Sequence, residues 1–217
     1  MRVPPPTAPG YYTPPVAPPI YNWAGFYFGG NAGGAWTTSN GPVNSTQTSG
    51  FIGGGQVGDN FFLPPSVLLG VEADFDGLTN TNSSITPDGI VQHDAKLNFL
   101  STVRGRVGLT FDRLLVYGTG GVAFTQSDVT RTQLATAGGI PAGTVDQLTN
   151  IRTGWTVGGG LEYAFAHNWT AKVEYLFADM GSITNTFPNA GVTNGPINLN
   201  VNTVRAGINY KFNWGPW

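Results

Sequence analysis

The sequence predicts an all-β protein, an eight-stranded antiparallel up-and-down transmembrane β-barrel, and three observations lead to this fold class. Charged residues make up only 10% of the 217 residues, well below the quarter that is typical of soluble proteins. No uncharged apolar run reaches the ~18 residues that a membrane helix needs, and the 32 glycines disfavour helices. Short and long connections alternate between the predicted strands, as they do in transmembrane barrels.

Eight strand-like runs follow a change of composition at residues 21–23. Most have roughly the ten residues that a tilted strand needs to cross a bilayer. The predicted strands span residues 24–36, 49–61, 66–76, 96–111, 114–126, 152–165, 169–178 and 201–212.

The connections between these runs carry independent information. Three are short and four are long, and the two kinds alternate strictly. Connection lengths are not expected to alternate in a soluble β-sandwich, whereas a membrane barrel has short turns on one side and long loops on the other. The short connections are Pro64-Pro65, Asp112-Arg113 and residues 166–168, and the long ones are residues 37–48, 77–95, 127–151 and 179–200.

The predicted strands have one apolar face and one polar face, because strand side chains alternate with a period of two residues. The run 96–111 sets Val103 and Val107 against Arg104 and Arg106. An eight-stranded barrel is just wide enough to be filled by side chains, and buried charges must pair. We therefore expect a lumen charge network of four acids and five bases near mid-strand: Glu72, Asp74, Glu162, Glu174, Arg104, Arg106, Lys172, Arg205 and Lys211.

Aromatic residues gather near the ends of the predicted strands. Two aromatic belts around an apolar band match the two interfaces of a membrane, whereas a soluble core would concentrate its aromatics centrally. The expected girdle residues are Trp23, Phe26, Trp36, Phe61, Phe111, Trp155, Phe165, Trp169, Tyr210 and Phe212.

The N-terminal segment differs from the rest of the chain. Residues 3–19 contain eight prolines, and such a segment is predicted to be an extended or disordered linker. The sequence therefore divides into a Pro-rich linker, residues 1–21, and a barrel domain, residues 22–217.

Composition excludes several classes of function. The net charge is −2 and the basic residues are scattered, so the chain lacks the basic stripe that nucleic-acid binding requires. The absence of cysteine excludes disulfides, thiolate metal sites and cysteine nucleophiles.

Two local motifs are interpreted without assigning chemistry to them. Residues 53–58 match G-x-G-x-x-G, but no helix follows to face a pyrophosphate, so a dinucleotide site is rejected. His93 is assigned to one long loop with Asp76, Asp88 and Asp94, and no other loop supplies a convincing partner set for catalysis or metal binding. We predict no catalytic residue, no metal site and no cofactor.

Several stretches of the chain resemble a known family. They are similar to strands of the small outer-membrane proteins of alphaproteobacteria, which are also called the outer-membrane β-barrel or opacity-like superfamily. The match covers roughly residues 21–212 in the family's order. The stretches are residues 22–31, 69–75, 102–108, 153–163 and 203–212.

The resemblance implies an eight-stranded barrel in the outer membrane of a Gram-negative cell. It also implies periplasmic termini, with the Pro-rich linker in the periplasm, and a signal peptide that is removed on export. Members of the family are surface antigens, integrity proteins and porin-like proteins, and haem binding is attributed to some. Expected partners are outer-membrane lipid, lipopolysaccharide and the barrel-insertion machinery, which would read a C-terminal aromatic residue, either Phe212 or Trp217.

Three functional hypotheses follow. The favoured one is a structural and surface role, in which the lumen is filled by the charged network. The first alternative is a narrow porin-like channel that conducts through the charged lumen. The second is a soluble, lipocalin-like barrel that binds a ligand, which would place the apolar face inside and the charges in water.

Overall fold

A computed structural model describes residues 21–41, 45–63, 66–79, 81–86 and 88–212. This part of the chain consists of nine strands joined by turns, and none of its elements is a helix long and apolar enough to cross a membrane. The strands are β1 (Gly25–Asn40), β2 (Ser45–Leu63), β3 (Val67–Leu78), β4 (Thr81–Ile85), β5 (Val91–Phe111), β6 (Leu114–Gln133), β7 (Val145–Ala164), β8 (Trp169–Phe187) and β9 (Val192–Lys211).

Eight of these strands form a closed wall. Each is antiparallel to its neighbours in the order β3-β2-β1-β9-β8-β7-β6-β5, and β3 pairs with β5 to close the ring. The closing ladder runs from Val67↔Leu109 to Gly77↔Phe99. The predicted antiparallel up-and-down barrel is therefore confirmed.

The ninth strand was not predicted. Within the described residues β4 pairs with β5 alone, and it lies within the segment 77–95 that was expected to be a loop. It extends one side of the barrel beyond the ring and leaves the wall at eight strands.

The strands run far beyond their predicted ends at one end of the barrel. β6 and β7 have 20 residues each and stay paired up to Thr132↔Val145. Twenty residues span about 66 Å along a strand, roughly twice the number of residues needed to cross a bilayer. Most of the four predicted long loops are thus hairpin extensions. We call this end of the barrel the hairpin end, and the end with the short turns, Gly25 and Lys211 the turn end.

β7 and β8 form a ladder over only half of their lengths. Residues 155–164 of β7 pair with β8, whereas residues 145–154 have ladder partners on β6 alone within the described chain. The Asp146 carboxylate bridges the gap by accepting hydrogen bonds from the backbone N–H groups of Asn189 and Ala190, at 2.9 and 3.1 Å. Side-chain contacts therefore hold the β8–β9 hairpin against β7 at the hairpin end.

The two faces of the wall have opposite chemistry. Val103, Val107 and Leu161 point outward and are 53%, 55% and 53% exposed, whereas Arg104 and Glu174 point inward and are each 1% exposed. The lipocalin-like alternative requires the reverse arrangement, so that hypothesis is wrong.

The outward face gives the first testable prediction. Val107→Arg should prevent stable insertion, because an arginine that faces lipid near the midplane of a barrel costs about 2–4 kcal/mol. The measurement is the yield of heat-modifiable folded protein in lipid vesicles. Thr153→Arg, which is also outward but lies beyond Trp155 toward the hairpin end, is the control and should fold. Normal folding of the Val107 variant would contradict the assignment of the faces.

Candidate functional site

Ten ionisable side chains fill the middle of the lumen, and we call them the charge layer. They come from β3, β5, β7, β8 and β9, and none is more than 4% exposed. All nine residues of the predicted network lie in it. The acids are Glu72, Asp74, Asp76, Glu162 and Glu174, and the bases are Arg104, Arg106, Lys172, Arg205 and Lys211.

Arg104 is the centre of the charge layer. Its guanidinium donates to Glu72 at 2.5 Å, to Asp74 at 2.8 Å and to Glu174 at 2.9 Å. Its Nε also donates to the Thr102 hydroxyl at 2.8 Å. One arginine on β5 thus ties β3 to β8 across the lumen.

Arg205 on β9 provides a second connection between the same strands. It donates to Asp76, to Asp74 at 3.3 Å and to Glu174 at 2.7 Å. The sequence predicted Asp76 to be the last residue of the third strand and grouped it with the acidic residues of the adjacent long loop. β3 continues to Leu78, so the alternation carries Asp76 into the lumen.

Arg106 and Lys172 pair with Glu162 and Glu72. Lys172 Nζ lies 2.9 and 3.0 Å from the two oxygens of Glu72. Arg106 donates to Glu162 at 3.0 Å, and its guanidinium carbon lies 4.9 and 5.2 Å from the ring centroids of Tyr27 and Tyr117. Cation–π contacts of this kind gain strength where the cation is desolvated.

Lys211 is the exception within the charge layer. It points into the lumen, but no described carboxylate lies within 4.0 Å of its ammonium group. Instead its Nζ lies 4.8 Å from the centroid of the Tyr21 ring. The ion pair that the sequence analysis expected for Lys211 is replaced by a cation–π contact.

Glycines make room for the larger side chains of the lumen. A Cβ at Gly58 would lie 2.3 Å from the Tyr27 hydroxyl, and a Cβ at Gly160 would lie 2.8 Å from the Tyr117 hydroxyl. These two hydroxyls donate to Glu72 and Glu174 at 2.6 and 2.9 Å. Gly58 belongs to the G-x-G-x-x-G motif, which therefore lies in a strand and serves packing.

A buried cluster closes the turn end of the barrel, and Trp23 is part of it. Its members are Trp23, Leu68, Leu115, Tyr117 and Ala164, with Tyr21 packed against them. The expectation that Trp23 belongs to an aromatic girdle is wrong. Trp23 is 2% exposed, and its indole N–H donates to the carbonyl oxygen of Asp112 at 2.8 Å. The chain enters the barrel mouth before β1 begins, so Trp23 points into the lumen.

A second apolar cluster closes the lumen on the other side of the charge layer. Ten residues from seven strands meet there, and none is more than 7% exposed. They are Ala35, Ile52, Leu78, Leu97, Leu100, Ala123, Ala178, Met180, Leu199 and Val201.

The charge layer therefore lies between two apolar layers. Charges in such surroundings are stable only when they are paired and hydrogen-bonded, because each isolated ion carries a desolvation penalty of several kcal/mol. The five acids and four of the bases meet this requirement by pairing with one another, and Lys211 contacts the Tyr21 ring instead. The arrangement can hold the strands together, and apolar clusters flank it on both sides along the lumen.

The other expected girdle residues lie on the outward face. Near the turn end, Phe26, Phe61, Phe111, Phe165 and Trp169 are between 44% and 60% exposed, and toward the hairpin end Trp36 and Trp155 are 49% and 52% exposed. Tyr210 and Phe212 are half-buried, with ring centroids 5.2 Å apart.

Phe212 extends the wall by one residue past β9. Its backbone N–H donates to the carbonyl oxygen of Phe26 at 2.8 Å, and its ring lies 5.8 Å from that of Phe26. Trp217, the other candidate for a C-terminal signal, lies outside the described residues.

A closed eight-stranded wall with an apolar outside and a charged lumen is the architecture of an outer-membrane barrel. The chain matches the outer membrane protein beta-barrel domain family over residues 16–212. It belongs to this family. The protein is thus an outer-membrane β-barrel protein of a Gram-negative cell.

Related proteins come from alphaproteobacteria, as the sequence predicted. The chain is 36% identical to the 31 kDa outer-membrane immunogenic protein of Brucella melitensis, over 91% of this chain and 88% of that protein. It is 29% identical to the 25 kDa outer-membrane immunogenic protein of Brucella abortus, over 92% and 86% of the two chains. It is 31% identical to a 22 kDa outer membrane protein of Rhizobium leguminosarum, over 89% and 80%.

The charge layer generates a stability prediction. Arg104→Met should destabilise the barrel by about 3–5 kcal/mol, because it leaves three buried carboxylates short of one cation. Urea unfolding in lipid vesicles measures the change. Lys96→Met, at an exposed position, should leave the unfolding midpoint almost unchanged. Equal midpoints for wild type and the Arg104 variant would mean that the ion pairs do not hold the wall.

The position of Trp23 generates a second prediction. Trp23→Ala should cost about 3–5 kcal/mol, as truncation of a buried tryptophan does, whereas the outward Trp155→Ala should cost less. Brominated lipids should quench the fluorescence of Trp155 and spare Trp23, which can be measured in variants that retain one of the two tryptophans and have the others replaced by Phe. Strong quenching of Trp23 would place it in the girdle after all.

Proposed function

We propose that this outer-membrane protein has a structural and surface role, in which the barrel supports membrane integrity and presents antigenic hairpins, and that it is neither an enzyme nor an open channel. One observation supports the proposal above all others. Three stacked layers fill the lumen: the Trp23 cluster, the charge layer and the second apolar cluster.

The orientation of the barrel is part of the proposal. We place the turn end and the linker of residues 1–21 in the periplasm, and the hairpin end outside the cell. Short turns face the periplasm in barrels of this kind, and longer connections face outward. The names of the Brucella relatives describe immunogenic proteins, which is consistent with hairpins that are displayed on the surface.

The proposed partners follow from the outward face. The apolar band between the exposed aromatics would contact outer-membrane lipid and lipopolysaccharide. Lys96 is the one exposed lysine or arginine in the described part of the hairpin end, so few basic side chains are available there to contact the phosphates of lipopolysaccharide. We therefore expect lipopolysaccharide to bind through apolar contacts more than through charge. Phe212 or Trp217 would be read by the insertion machinery.

A tag experiment tests location and orientation together. An epitope inserted in the β6–β7 tip, within residues 135–143, should be labelled by antibody on intact cells. The same epitope between Asp112 and Arg113 should be labelled only after permeabilisation. The reverse pattern would overturn the proposed orientation. If the folded tagged proteins are found outside the outer-membrane fraction and neither epitope is labelled on intact cells, the proposed surface display would be overturned.

A conductance measurement separates the structural role from the porin-like alternative. Purified barrel in planar bilayers should give no steady conductance, because the lumen is packed at three levels. A channel-forming porin of known conductance serves as the positive control. Steady single-channel steps that change on Glu72→Ala would replace the structural role with the channel.

A further inference from the structure

Two arginines inside the hairpin end lack the pairing that every arginine of the charge layer has. Arg131 and Arg152 are 5% and 7% exposed. No carboxylate oxygen of the described chain lies within 4.0 Å of either guanidinium. By contrast, Arg104 and Arg205 each contact three carboxylates.

The hydrogen bonds that these two arginines do make leave donors unused. Arg131 donates to the side chain of Gln133 at 2.8 Å, and Arg152 donates to the carbonyl oxygen of Ile197 at 3.2 Å. Arg131 Nη1, Arg152 Nε and the Ser127 hydroxyl are buried and have no partner among the described residues. Arg106 and Arg205 in the charge layer also have one such nitrogen each, but their guanidinium groups pair with carboxylates. An unsatisfied buried donor destabilises the folded protein, and a charged one does so more strongly.

These three groups share the inner face of one hairpin. In the β6–β7 ladder, Ser127 lies opposite Asn150, so Arg152 is its diagonal neighbour, with the two Cα atoms roughly 7–8 Å apart. Arg131 lies four residues beyond Ser127 on the same face of β6, about 13 Å along the strand. Ser127 and Arg152 can thus contact one small ligand, and Arg131 lies farther toward the tip.

The surrounding residues separate this region from the charge layer and cover it. Leu97 is the register partner of Ser127 on β5. It belongs with Met180 and Leu199 to the second apolar cluster, which lies between this region and the charge layer. The β8–β9 hairpin lies above, with Phe187 1% exposed. Asp146 is the register partner of Arg131, but its two oxygens accept backbone N–H groups of the hairpin and lie more than 4.0 Å from the Arg131 guanidinium nitrogens.

We propose that Ser127 and Arg152, on the inner face of the β6–β7 hairpin, bind a soluble anion through a phosphate or carboxylate group, and that Arg131 adds positive charge farther toward the tip. The unused groups are N–H and O–H donors next to fixed positive charge, which is the chemistry that recognises oxyanions. Arginine binds carboxylate and phosphate well, because its planar fork presents several donors. The ligand is a solute rather than a lipid headgroup, since the three side chains lie inside the wall.

Inorganic phosphate is the probe that tests the proposal. Full-length barrel in detergent micelles is heated at increasing phosphate, with sodium chloride adjusted to keep the ionic strength constant. The midpoint of wild type should rise and then saturate, as it does when a ligand binds only the folded state. Arg152→Gln should weaken the apparent affinity at least tenfold. Arg113→Gln, an exposed arginine in the β5–β6 turn, is the matched control and should behave as wild type.

A second variant and two other ligands distinguish the possible outcomes of this experiment. Ser127→Ala should weaken the phosphate effect severalfold, and it provides the test if the Arg152 variant does not fold. Acetate replaces phosphate in a carboxylate arm, and lipopolysaccharide replaces it at equal phosphate content in a lipid arm. In chloride alone, Arg152→Gln should unfold at a midpoint no lower than that of wild type, because it removes an uncompensated buried charge.

Three results would overturn the proposal. The first is a wild-type midpoint that depends on ionic strength alone, with no specific effect of phosphate or acetate. The second is an equal effect of phosphate on wild type, Arg152→Gln and Ser127→Ala. The third is a shift with lipopolysaccharide but none with the free anions, which would assign the arginines to a lipid headgroup.

Discussion

The mutual pairing of buried acids and bases is the constraint on which the rest of the barrel depends. Glu72, Asp74 and Glu174 each contact more than one cation, and the contacts join strands that are not neighbours in the wall. An ion left alone in this lumen would cost several kcal/mol. The strands must therefore keep the register that brings these side chains together, since a shift of one residue would turn every charge toward lipid.

This constraint explains features that otherwise look unrelated. Lumen glycines such as Gly58 and Gly160 are needed because Tyr27 and Tyr117 cross the space that a Cβ would occupy. The two tyrosines in turn bracket the Arg106 guanidinium. Apolar layers on either side separate the ions from bulk water, which strengthens their attraction. The same filling of the lumen is the basis of the structural role that we propose.

The ladder weakens where the charge layer ends. Between Trp155 and the turn end, β7 and β8 share a regular ladder. Between Trp155 and the hairpin end, Asp146 holds the β8–β9 hairpin by accepting hydrogen bonds from two backbone N–H groups. Arg131 and Arg152 lie in this less regular half and have no ion pair with any described residue. The barrel thus combines a half rich in ion pairs, suited to anchoring, with a half in which we propose that buried arginine donors bind a ligand.

Much of this architecture could be predicted from the sequence, because period-two alternation and turn chemistry are local signals. The alternation around Val103 and Arg104 identified both faces, and the Asp112-Arg113 turn located one end of the barrel. The hairpin extensions were missed because runs rich in Thr, Asn and Gly lack an apolar face, although their backbones still form ladders.

Other features depend on the path of the chain in three dimensions. Trp23 resembles a girdle residue by its place near a strand start, and only the entry of the chain into the barrel mouth makes it a lumen residue. Asp76 lay at the last position of a predicted strand, where its direction was ambiguous. The lack of an acidic partner for Arg152 could not be predicted from the sequence, because it depends on which residues of β8 and β9 lie next to β7 at the hairpin end.

A spin-label scan along β6, within residues 116–123, tests the assignment of the two faces most directly. Labels attach only at introduced cysteines, because the chain has no cysteine of its own. Thr119 and Ala123 are register partners of Arg106 and Thr102, so labels there report on the inward face without removing an ion pair. Gly121 is left unlabelled, because a Cβ there would meet the backbone of Val103. Oxygen dissolved in lipid should relax labels at Val116, Gly118, Gly120 and Val122 and spare labels at Thr119 and Ala123. A water-soluble relaxant that reaches Gly118 and Gly120, or a scan without this alternation, would contradict the assignment.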